Sequence, residues 1–293
     1  MTSELAISRR KILAAVDLGE QSLAVLREAK QRAEQSGGTW AVCHVLPDEV
    51  ASAAPRTERV SREAAQRLLE KASPEGSPQL FFERGAPAAT IVHTAQAWGA
   101  DLIVTASHSR RPLERVLLGS VAASVVRYAH CAVLVVRRQA APARCVLAAT
   151  DLSRQSLPAI QVAAEEATRL GLPLKVGHAI DASWVAFNAY TSSLLGASGS
   201  GAPVIAEEPE RDATRMSLAG EIDSLGVSAT PVVLDGSPRD AIVDWASSEQ
   251  AALVVIGTHG RTGLSRVLLG SVAESVVTRA ACSVEVVRLQ EGV

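Results

Sequence analysis

Apolar residues along the chain fall into short, often β-branched runs that alternate with longer stretches where an apolar residue returns every three to four positions. Short runs of this kind are typical of strands buried in a parallel sheet, and the longer periodicity is typical of the helices that join them. The pattern predicts five strands in each half of the chain. These are ILAAV, WAVCHVL, QLFFE, LIVTA and AVLVV, then VLAAT, LKVGHAI, TPVVL, LVVIG and VEVV.

The two halves of the chain repeat one pattern of residues. The segment KILAAVDLGEQSLAVLREA matches CVLAATDLSRQSLPAIQVA, which aligns Asp17 with Asp151. Farther on, ERGAPAATIVHTAQAWGADLIVTASHS matches LDGSPRDAIVDWASSEQAALVVIGTHG and aligns Gly85 with Gly236. The copies close on HCAVLVVR and ACSVEVVR. Self-similarity of this extent indicates a duplicated domain.

Alternating strands and helices predict the fold class of each copy. Five parallel strands with right-handed crossovers place helices on both faces of the sheet, which gives two tandem Rossmann-like, three-layer α/β domains. We place the domains at residues 1–139 and 144–293. The seam between them, RRQAAPAR, is too short for independent movement. Because related surfaces pair as homodimers do, we expect a fixed pseudo-twofold arrangement.

Composition narrows the range of partners and compartments. The chain has 293 residues, of which 47% are hydrophobic and 20% charged, as in a globular protein with a substantial core. The formal net charge of −2 supplies no global attraction for nucleic acid or acidic membrane, although a small anionic ligand remains possible. No apolar run reaches the roughly 18 residues of a membrane helix, and no signal peptide pattern opens the chain, so we expect a cytoplasmic protein.

The cysteines of the chain have the pattern of buried structural residues. All four cysteines lie in apolar runs without CxxC spacing, and we expect reduced core residues. They are Cys43, Cys131, Cys145 and Cys282.

Between residues 183 and 208 the second copy carries an insertion with three aromatic residues, Trp184, Phe187 and Tyr190. It is either a lid over a ligand crevice or a surface loop packed on its own domain or on a partner.

The strongest chemical motif is IGTHGRTGLSRVLLGS, in which Gly257, Gly260, Gly270 and Ser271 have the spacing Gly-x2-Gly-x9-Gly-Ser. Glycines let the backbone approach a ligand and turn N–H groups toward it, and a helix N-terminus attracts phosphate. The alternative is a capping box, in which Ser271 and Glu274 satisfy the helix start without a ligand. His259 and Arg261 either contact an anion or are solvated.

Two further pairs of residues recur at strand ends. Asp17 and Asp151 follow the first strand of each copy, where a carboxylate either accepts hydrogen bonds from an adenine amine or a ribose hydroxyl, or caps the next turn. His44 and His178 lie near the end of the second strand, and without a metal-binding cluster we expect packed core histidines.

These features together resemble the universal stress protein family in its tandem two-domain form. They are Asp after the first strand, His at the end of the second, Gly-x-Pro before a helix, and the spaced glycines before the last helix. The resemblance covers about residues 11–137 and 144–288.

The resemblance implies the fold of the adenine-nucleotide hydrolase-like superfamily, with strand order 3-2-1-4-5 and dimer-like pairing of the final strands. It also implies an adenine nucleotide site between the first and fourth strands. Nucleotide-binding members commonly bind ATP with a divalent ion such as Mg²⁺. By position, adenine and ribose would face Ala149, Thr150, Asp151 and Ala179. Ribose and phosphates would face Ile256, Gly257, His259, Gly260, Gly270, Ser271 and Val272.

The N-terminal copy departs from the glycine pattern, because Ala106 and Ser109 occupy the positions of Gly257 and Gly260. A Cβ at each position crowds the phosphate path and disfavours positive φ. Three arginines could instead hold an anion directly, namely Arg110, Arg111 and Arg115. We expect this half to bind nucleotide weakly or not at all. Its corresponding residues are Asp17, Val45, Gly119, Ser120 and Val121.

Three classes of function follow. The first is a stress-response regulatory protein whose ATP alters its stability or its binding to a regulatory protein partner, with a homodimer also expected. The alternative is a nucleotide-free interaction scaffold. An ATP-consuming enzyme has the least support, because related ligases carry an SGGxDS-like loop where this chain has DLGEQS and DLSRQS. The chain also offers no recognisable catalytic triad or metal cluster, which leaves slow ATP hydrolysis as the remaining enzymatic possibility.

Overall fold

A computed structural model describes residues 11–49, 55–73, 78–107, 118–139, 141–181, 208–258 and 269–288. These residues form ten strands, eight α-helices and a short 3-10 helix. The strands are β1 Lys11–Ala15, β2 Thr39–Leu46, β3 Gln79–Arg84, β4 Leu102–Ala106, β5 Ala132–Val136, β6 Cys145–Ala149, β7 Leu174–Ile180, β8 Thr230–Asp235, β9 Ala251–Gly257 and β10 Ser283–Val287. The α-helices are α1 Ser22–Ser36, α2 Pro55–Ala72, α3 Pro87–Trp98, α4 Ser120–Tyr128, α5 Leu157–Leu170, α6 Glu208–Leu225, α7 Pro238–Ser248 and α8 Ser271–Arg279.

All ten strands belong to one sheet, in the order β3-β2-β1-β4-β5-β10-β9-β6-β7-β8. Each half therefore has strand order 3-2-1-4-5, as the family resemblance implied, and its strands are parallel. The halves meet where β5 and β10 pair in antiparallel register, with Leu134 opposite Glu285. These two residues are counterparts in the repeat. A pseudo-twofold axis thus passes through this strand pair.

Helices cover both faces of the sheet, because alternate side chains along each strand point to opposite faces and nearly all of them are apolar. In β1, Leu13 belongs to the hydrophobic core on one face and Ile12 to the core on the other. Each core contains residues from both halves of the chain. The continuous sheet and its two shared cores hold the halves in the fixed arrangement expected from the short seam.

Two arginines, Arg137, which is buried, and Arg288, which is partly buried, connect each half to a helix end of the other. The Arg137 guanidinium, which follows β5, donates to the carbonyl oxygens of Val277 and Cys282 near the end of α8. Arg288, which follows β10, donates to the carbonyl of Val126 near the end of α4 at 2.6 Å. The last carbonyls of a helix have no intrahelical partner and lie at its negative end, so each guanidinium supplies donors that the opposite half lacks.

Candidate functional site

The crevice at the carboxyl edge of the C-terminal half is built around β6 and β9. Ala149 at the end of β6 lies beside Ile256 of β9, and the chain then leaves the two strands toward opposite sides of the sheet. The backbone N–H of Thr150 donates to the carbonyl of Gly177 in β7 at 3.0 Å, which fixes the exit from β6. Such a switch point is where open α/β sheets bind ligands.

The start of α8 lies at the same edge. The N-cap is Gly270, with φ −63° and ψ 147°, and its N–H donates to the carbonyl of Thr258 at 2.8 Å. The capping-box interpretation is wrong, since Ser271 is the first helical residue and no side chain caps this helix start among the described residues. Glu274 instead forms an ion pair with Arg127 of α4. The N–H groups of the first turn therefore have no side-chain acceptor in the part of the chain that the structure describes, which suits an anion.

The aspartates after β6 and β1 organise identical turns. One carboxylate oxygen of Asp151 accepts a hydrogen bond from the Ser153 N–H at 3.1 Å. In the N-terminal half, Asp17 accepts one from the Gly19 N–H at 2.9 Å. The turn interpretation is thus correct for one oxygen of each carboxylate. The other oxygen of Asp17 is buried without a hydrogen-bond partner among the described residues, so a ligand and the turn need not compete for the same atom.

Both turns force an unusual backbone conformation on the residue after the aspartate. Leu18 has φ 65° and Leu152 has φ 61°, in the left-handed region that leucine rarely adopts. Both side chains pack against the core on the α1 and α5 face. Strained backbone that recurs at one place in a fold is a common property of binding sites. The sequence carried no sign of it, because leucine does not favour this conformation.

A polar cluster beneath Thr150 was not found from the sequence. The Thr150 hydroxyl lies 2.7 Å from the Ser156 hydroxyl and 3.4 Å from a carboxylate oxygen of Glu221 in α6. The Thr150 hydroxyl donates to Glu221, and the Ser156 hydroxyl donates to the Ser153 carbonyl at 2.7 Å. Burial raises the pKa of Glu221; the Thr150 hydrogen bond opposes that shift, and the charge of Asp151 adds to it.

This cluster distinguishes the halves, because the counterpart of Thr150 is Val16. The difference was available in the alignment as threonine opposite valine. Glu221 itself was beyond reach, since the insertion that precedes α6 removes the alignment there. The C-terminal crevice therefore rests on a hydrogen-bonded base that the N-terminal half lacks at this position.

The histidines of β2 and β7 link neighbouring strand ends. Nδ1 of His178 donates to the carbonyl of Thr150, and Nδ1 of His44 donates to the carbonyl of Val16, both at 2.9 Å. His44 is buried, as expected, and packs on Phe82, whereas His178 is half-buried. Ala179, the residue after His178, is partly buried and packs against the apolar core on the α3 and α7 face. Both rings thus have a structural role at the crevice floor.

The N-terminal half repeats the framework of the crevice without its glycine. Gly119 is the N-cap of α4, and its N–H donates to the Ser107 carbonyl at 2.6 Å, as Gly270 does to Thr258. Where β9 ends in Gly257, β4 ends in Ala106. At the crevice of this half, Val45 is buried and Val121 is exposed. The shared contacts therefore belong to the fold, and the difference between the halves lies in the residues that line the crevice.

Several predicted residues lie outside the described part of the chain. They are His259, Gly260 and Arg261 in the C-terminal motif, Ser109, Arg110, Arg111 and Arg115 in the N-terminal one, and the aromatic insertion up to residue 207. The remaining predicted residues, from Ala149 to Asp151, Ala179, Ile256, Gly257 and Gly270 to Val272, are all described.

Metal and thiol chemistry receive no support from the described residues. Within them, no group of three or more His, Cys, Asp or Glu side chains is placed to hold a metal ion. All four cysteines are free and buried, as expected, and burial raises the pKa of the Cys43 thiol to about 12. None of the helices described is both long and apolar enough to cross a membrane.

Comparisons with known proteins place this chain in a family. Universal stress protein MJ0531 of Methanocaldococcus jannaschii is 49% identical over 63 residues, which are 22% of this chain and 37% of that protein. Universal stress protein Rv2005c of Mycobacterium tuberculosis is 33% identical over 210 residues, 69% of this chain and 66% of that protein. The matched regions thus span less than two thirds of the length of each of these relatives.

A solved structure and a family sequence model extend the similarity to both halves. The crystal structure of a universal stress protein from Archaeoglobus fulgidus shares the fold, with a TM-score of 0.67 at 19% identity. The match covers 97% of this chain and 98% of that one. The sequence model of the universal stress protein family matches residues 8–137 and again residues 143–288. The chain therefore belongs to the universal stress protein family, with the family unit present twice.

Proposed function

We propose that this protein is a regulatory protein that binds ATP or another adenine nucleotide, mainly in its C-terminal half. The observation that carries the proposal is the start of α8, where no described side chain caps the helix and Gly270 holds its first turn at the mouth of the β6–β9 crevice. A helix N-terminus of this kind offers donors and positive potential to a phosphate. Family membership supports the same assignment.

The residues available in the crevice fit the parts of an adenine nucleotide. The apolar ends of β6 and β9, Ala149 and Ile256, offer a surface for a flat base. Asp151 offers a carboxylate to an amine or a ribose hydroxyl. Gly257, Gly270 and Ser271 offer backbone and hydroxyl groups to phosphates. A divalent ion such as Mg²⁺ would bind together with the phosphates, since no cluster within the described residues is placed to hold it.

Binding changes the protein in this proposal without requiring catalysis. A nucleotide that binds the folded chain and not the unfolded one stabilises the folded chain by mass action. Binding at the crevice mouth would also change the surface that a protein partner contacts. Of the two domains, residues 1–139 and 144–293, the second would then bind the nucleotide, and the first would mainly stabilise the second by packing against it.

Paired variants in the two halves test the proposal. ATP at about 100 times its dissociation constant should raise the melting temperature of the wild type by roughly 5 °C or more. Gly260→Val should abolish this rise, because by the family resemblance residue 260 faces the phosphates, where the added side chain would crowd them. Ser109→Val, the matched change in the N-terminal half, should leave it intact. If ATP does not stabilise the wild type, the protein acts as a nucleotide-free scaffold.

A further inference from the structure

Five charged side chains meet beside the pseudo-twofold axis, on the face of the sheet covered by α1 and α5. We call them the axial cluster: Glu28 and Arg32 from α1, Glu166 and Arg169 from α5, and Glu285 from β10. Arg32 is central, with its NH1 atom 2.7 Å from Glu166 Oε1 and 3.1 Å from Glu285 Oε2. Its Nε is 2.7 Å from Glu28 Oε1.

The cluster joins the two halves inside the protein rather than on its surface. Arg32 is 5% exposed and Glu285 is fully buried. Arg169 completes the cluster by pairing with Glu166 at 2.7 Å and, across the halves, with Glu28 at 2.9 Å. Burial by itself would lower the pKa of Arg32, but the surrounding carboxylates, Glu285 foremost, raise it above its ordinary value.

Comparison of the two copies shows that residues at equivalent positions meet in this cluster. Arg32 and Glu166 are counterparts in the two copies, and they contact each other. Leu134 and Glu285 are also counterparts, and they lie opposite each other across the β5–β10 pair. Residues that contact their own counterparts lie beside the twofold axis. At both positions the chain has placed unlike residues where a symmetric dimer would have to place identical ones.

Pairing a half with a copy of itself would therefore bring like charges together. Two C-terminal halves would set Glu166 against Glu166 and Glu285 against Glu285, with Arg169 as the only arginine of the cluster left in each half. Two N-terminal halves would set Arg32 against Arg32, and each Arg32 would keep Glu28 but lose both of its partners across the axis. A buried charge without its partner is strongly destabilising, and like charges opposite each other across strands repel.

On the other face of the sheet, an exposed ion pair also joins unlike residues of the two halves. Arg127 of α4 pairs with Glu274 of α8 across the axis. Their counterparts are Thr278 and Ala123, so neither symmetric pair could form this bridge. In contrast, Arg137 and Arg288 are counterparts that make equivalent contacts with backbone carbonyls, so they would serve any pairing equally.

We infer that the axial cluster makes the β5 and β10 surfaces recognise each other in preference to copies of themselves, so that the partner of each half is the opposite half. A charge arrangement that penalises the wrong partner gives specificity even where the net stabilisation of the correct pair is small. The surface through which the resemblance predicts dimer-like pairing is consequently filled within the chain.

The test starts from the intact folded protein with a protease site inserted after the exposed Ala141. After cleavage, isotope-labelled and unlabelled protein are equilibrated in a low concentration of urea and analysed by native mass spectrometry. Mixed-label complexes of one N-terminal with one C-terminal half, without either symmetric dimer, are expected. Symmetric dimers in statistical amounts, or halves that remain single, would overturn the inference.

A charge-free variant separates the effect of charge from that of shape. It combines Arg32→Met, Glu166→Met, Glu285→Leu, Glu28→Val and Arg169→Gln, where the last three substitutions introduce the residue found at the counterpart position. Symmetric dimers should appear in this variant. Arg215→Met, which removes an exposed ion pair with Asp212 within one half, should pair as the wild type does. Exclusive pairing of unlike halves in the charge-free variant would show that shape alone decides.

Discussion

Glu221 is a carboxyl group that the fold places partly out of water beneath the candidate crevice. Its pKa is raised above 4.5 by burial first and by Asp151 as well, against the hydrogen bond from Thr150. A carboxyl whose pKa is higher in the folded than in the unfolded state stabilises the fold below the unfolded pKa. That contribution is lost as the pH rises through the folded value.

Replacing this carboxyl should therefore stabilise the protein at neutral pH. We expect Glu221→Gln to raise the free energy of unfolding at pH 7 by less than about 1 kcal/mol, because solvent screens a half-exposed group. At pH 4, where wild-type Glu221 is largely protonated, the two proteins should unfold at the same urea concentration. A variant that is less stable than the wild type at pH 7 would mean that ionised Glu221 holds the Thr150 cluster together.

Residue identity alone predicted the positions of the crevice residues better than their interactions. The aspartates were expected either to cap turns or to face a ligand, and one oxygen of each caps a turn. Ser271 was the reasonable residue for a cap, yet Gly270 takes the cap position because its N–H is tied to Thr258. Such competition between local propensity and a tertiary hydrogen bond cannot be resolved from the sequence.

The turn between the third helix and the fourth strand of each copy has the same left-handed backbone conformation but a different residue. Gly99 ends α3 with φ 73°, and its counterpart Gln250 has φ 53° after α7. Both donate to a carbonyl three residues earlier in the chain. Glycine adopts this left-handed conformation freely, whereas a residue with a Cβ is strained there.

Replacing each of these two residues by the other should change the free energy of unfolding in opposite directions. We expect Gln250→Gly to raise the free energy of unfolding by roughly 0.5 to 1 kcal/mol, the relief of strain exceeding the entropy that glycine adds to the unfolded chain. Gly99→Gln should lower it by a similar amount or more. Chemical denaturation of both variants checks the pair, and a Gln250→Gly variant less stable than the wild type would indicate that the glutamine side chain makes a stabilising contact.

Elements as a whole followed closely from the sequence. The first predicted strand, ILAAV, differs from Lys11–Ala15 by a single position, since a buried parallel strand is an uninterrupted apolar run. The 3-2-1-4-5 order came from the family resemblance rather than from the runs themselves. Crossover handedness restricts strand order but does not select one among the orders that remain.

At the scale of the whole molecule, the axial cluster should dominate the response to single substitutions. Arg32→Met leaves Glu166 and Glu285 buried with less compensation, and we expect it to lower the free energy of unfolding by about 3 to 5 kcal/mol. Arg215→Met, in an exposed pair, should change it by less than about 0.5 kcal/mol. Equal effects of the two substitutions, measured by urea unfolding, would contradict the assignment of Arg32 to the centre of the interface.

The role of Arg32 could not have been predicted from the sequence, although both members of its pair were aligned. An arginine opposite a glutamate in two repeats is unremarkable until the twofold axis is known to pass beside them. That axis depends on the antiparallel pairing of β5 with β10, which brings together residues separated by about half the chain. Local patterns predict elements, whereas contacts of this range require the assembled sheet.

We propose that the two halves share a framework and differ in ligand binding. The most direct measurement is the amount of adenine nucleotide bound per chain, determined by denaturing freshly purified protein and by titrating nucleotide-free protein with ATP. We expect close to one equivalent per chain, held in the C-terminal half. Two equivalents would contradict the asymmetry between Gly257 and Ala106, and the absence of any bound nucleotide would contradict the proposed function itself.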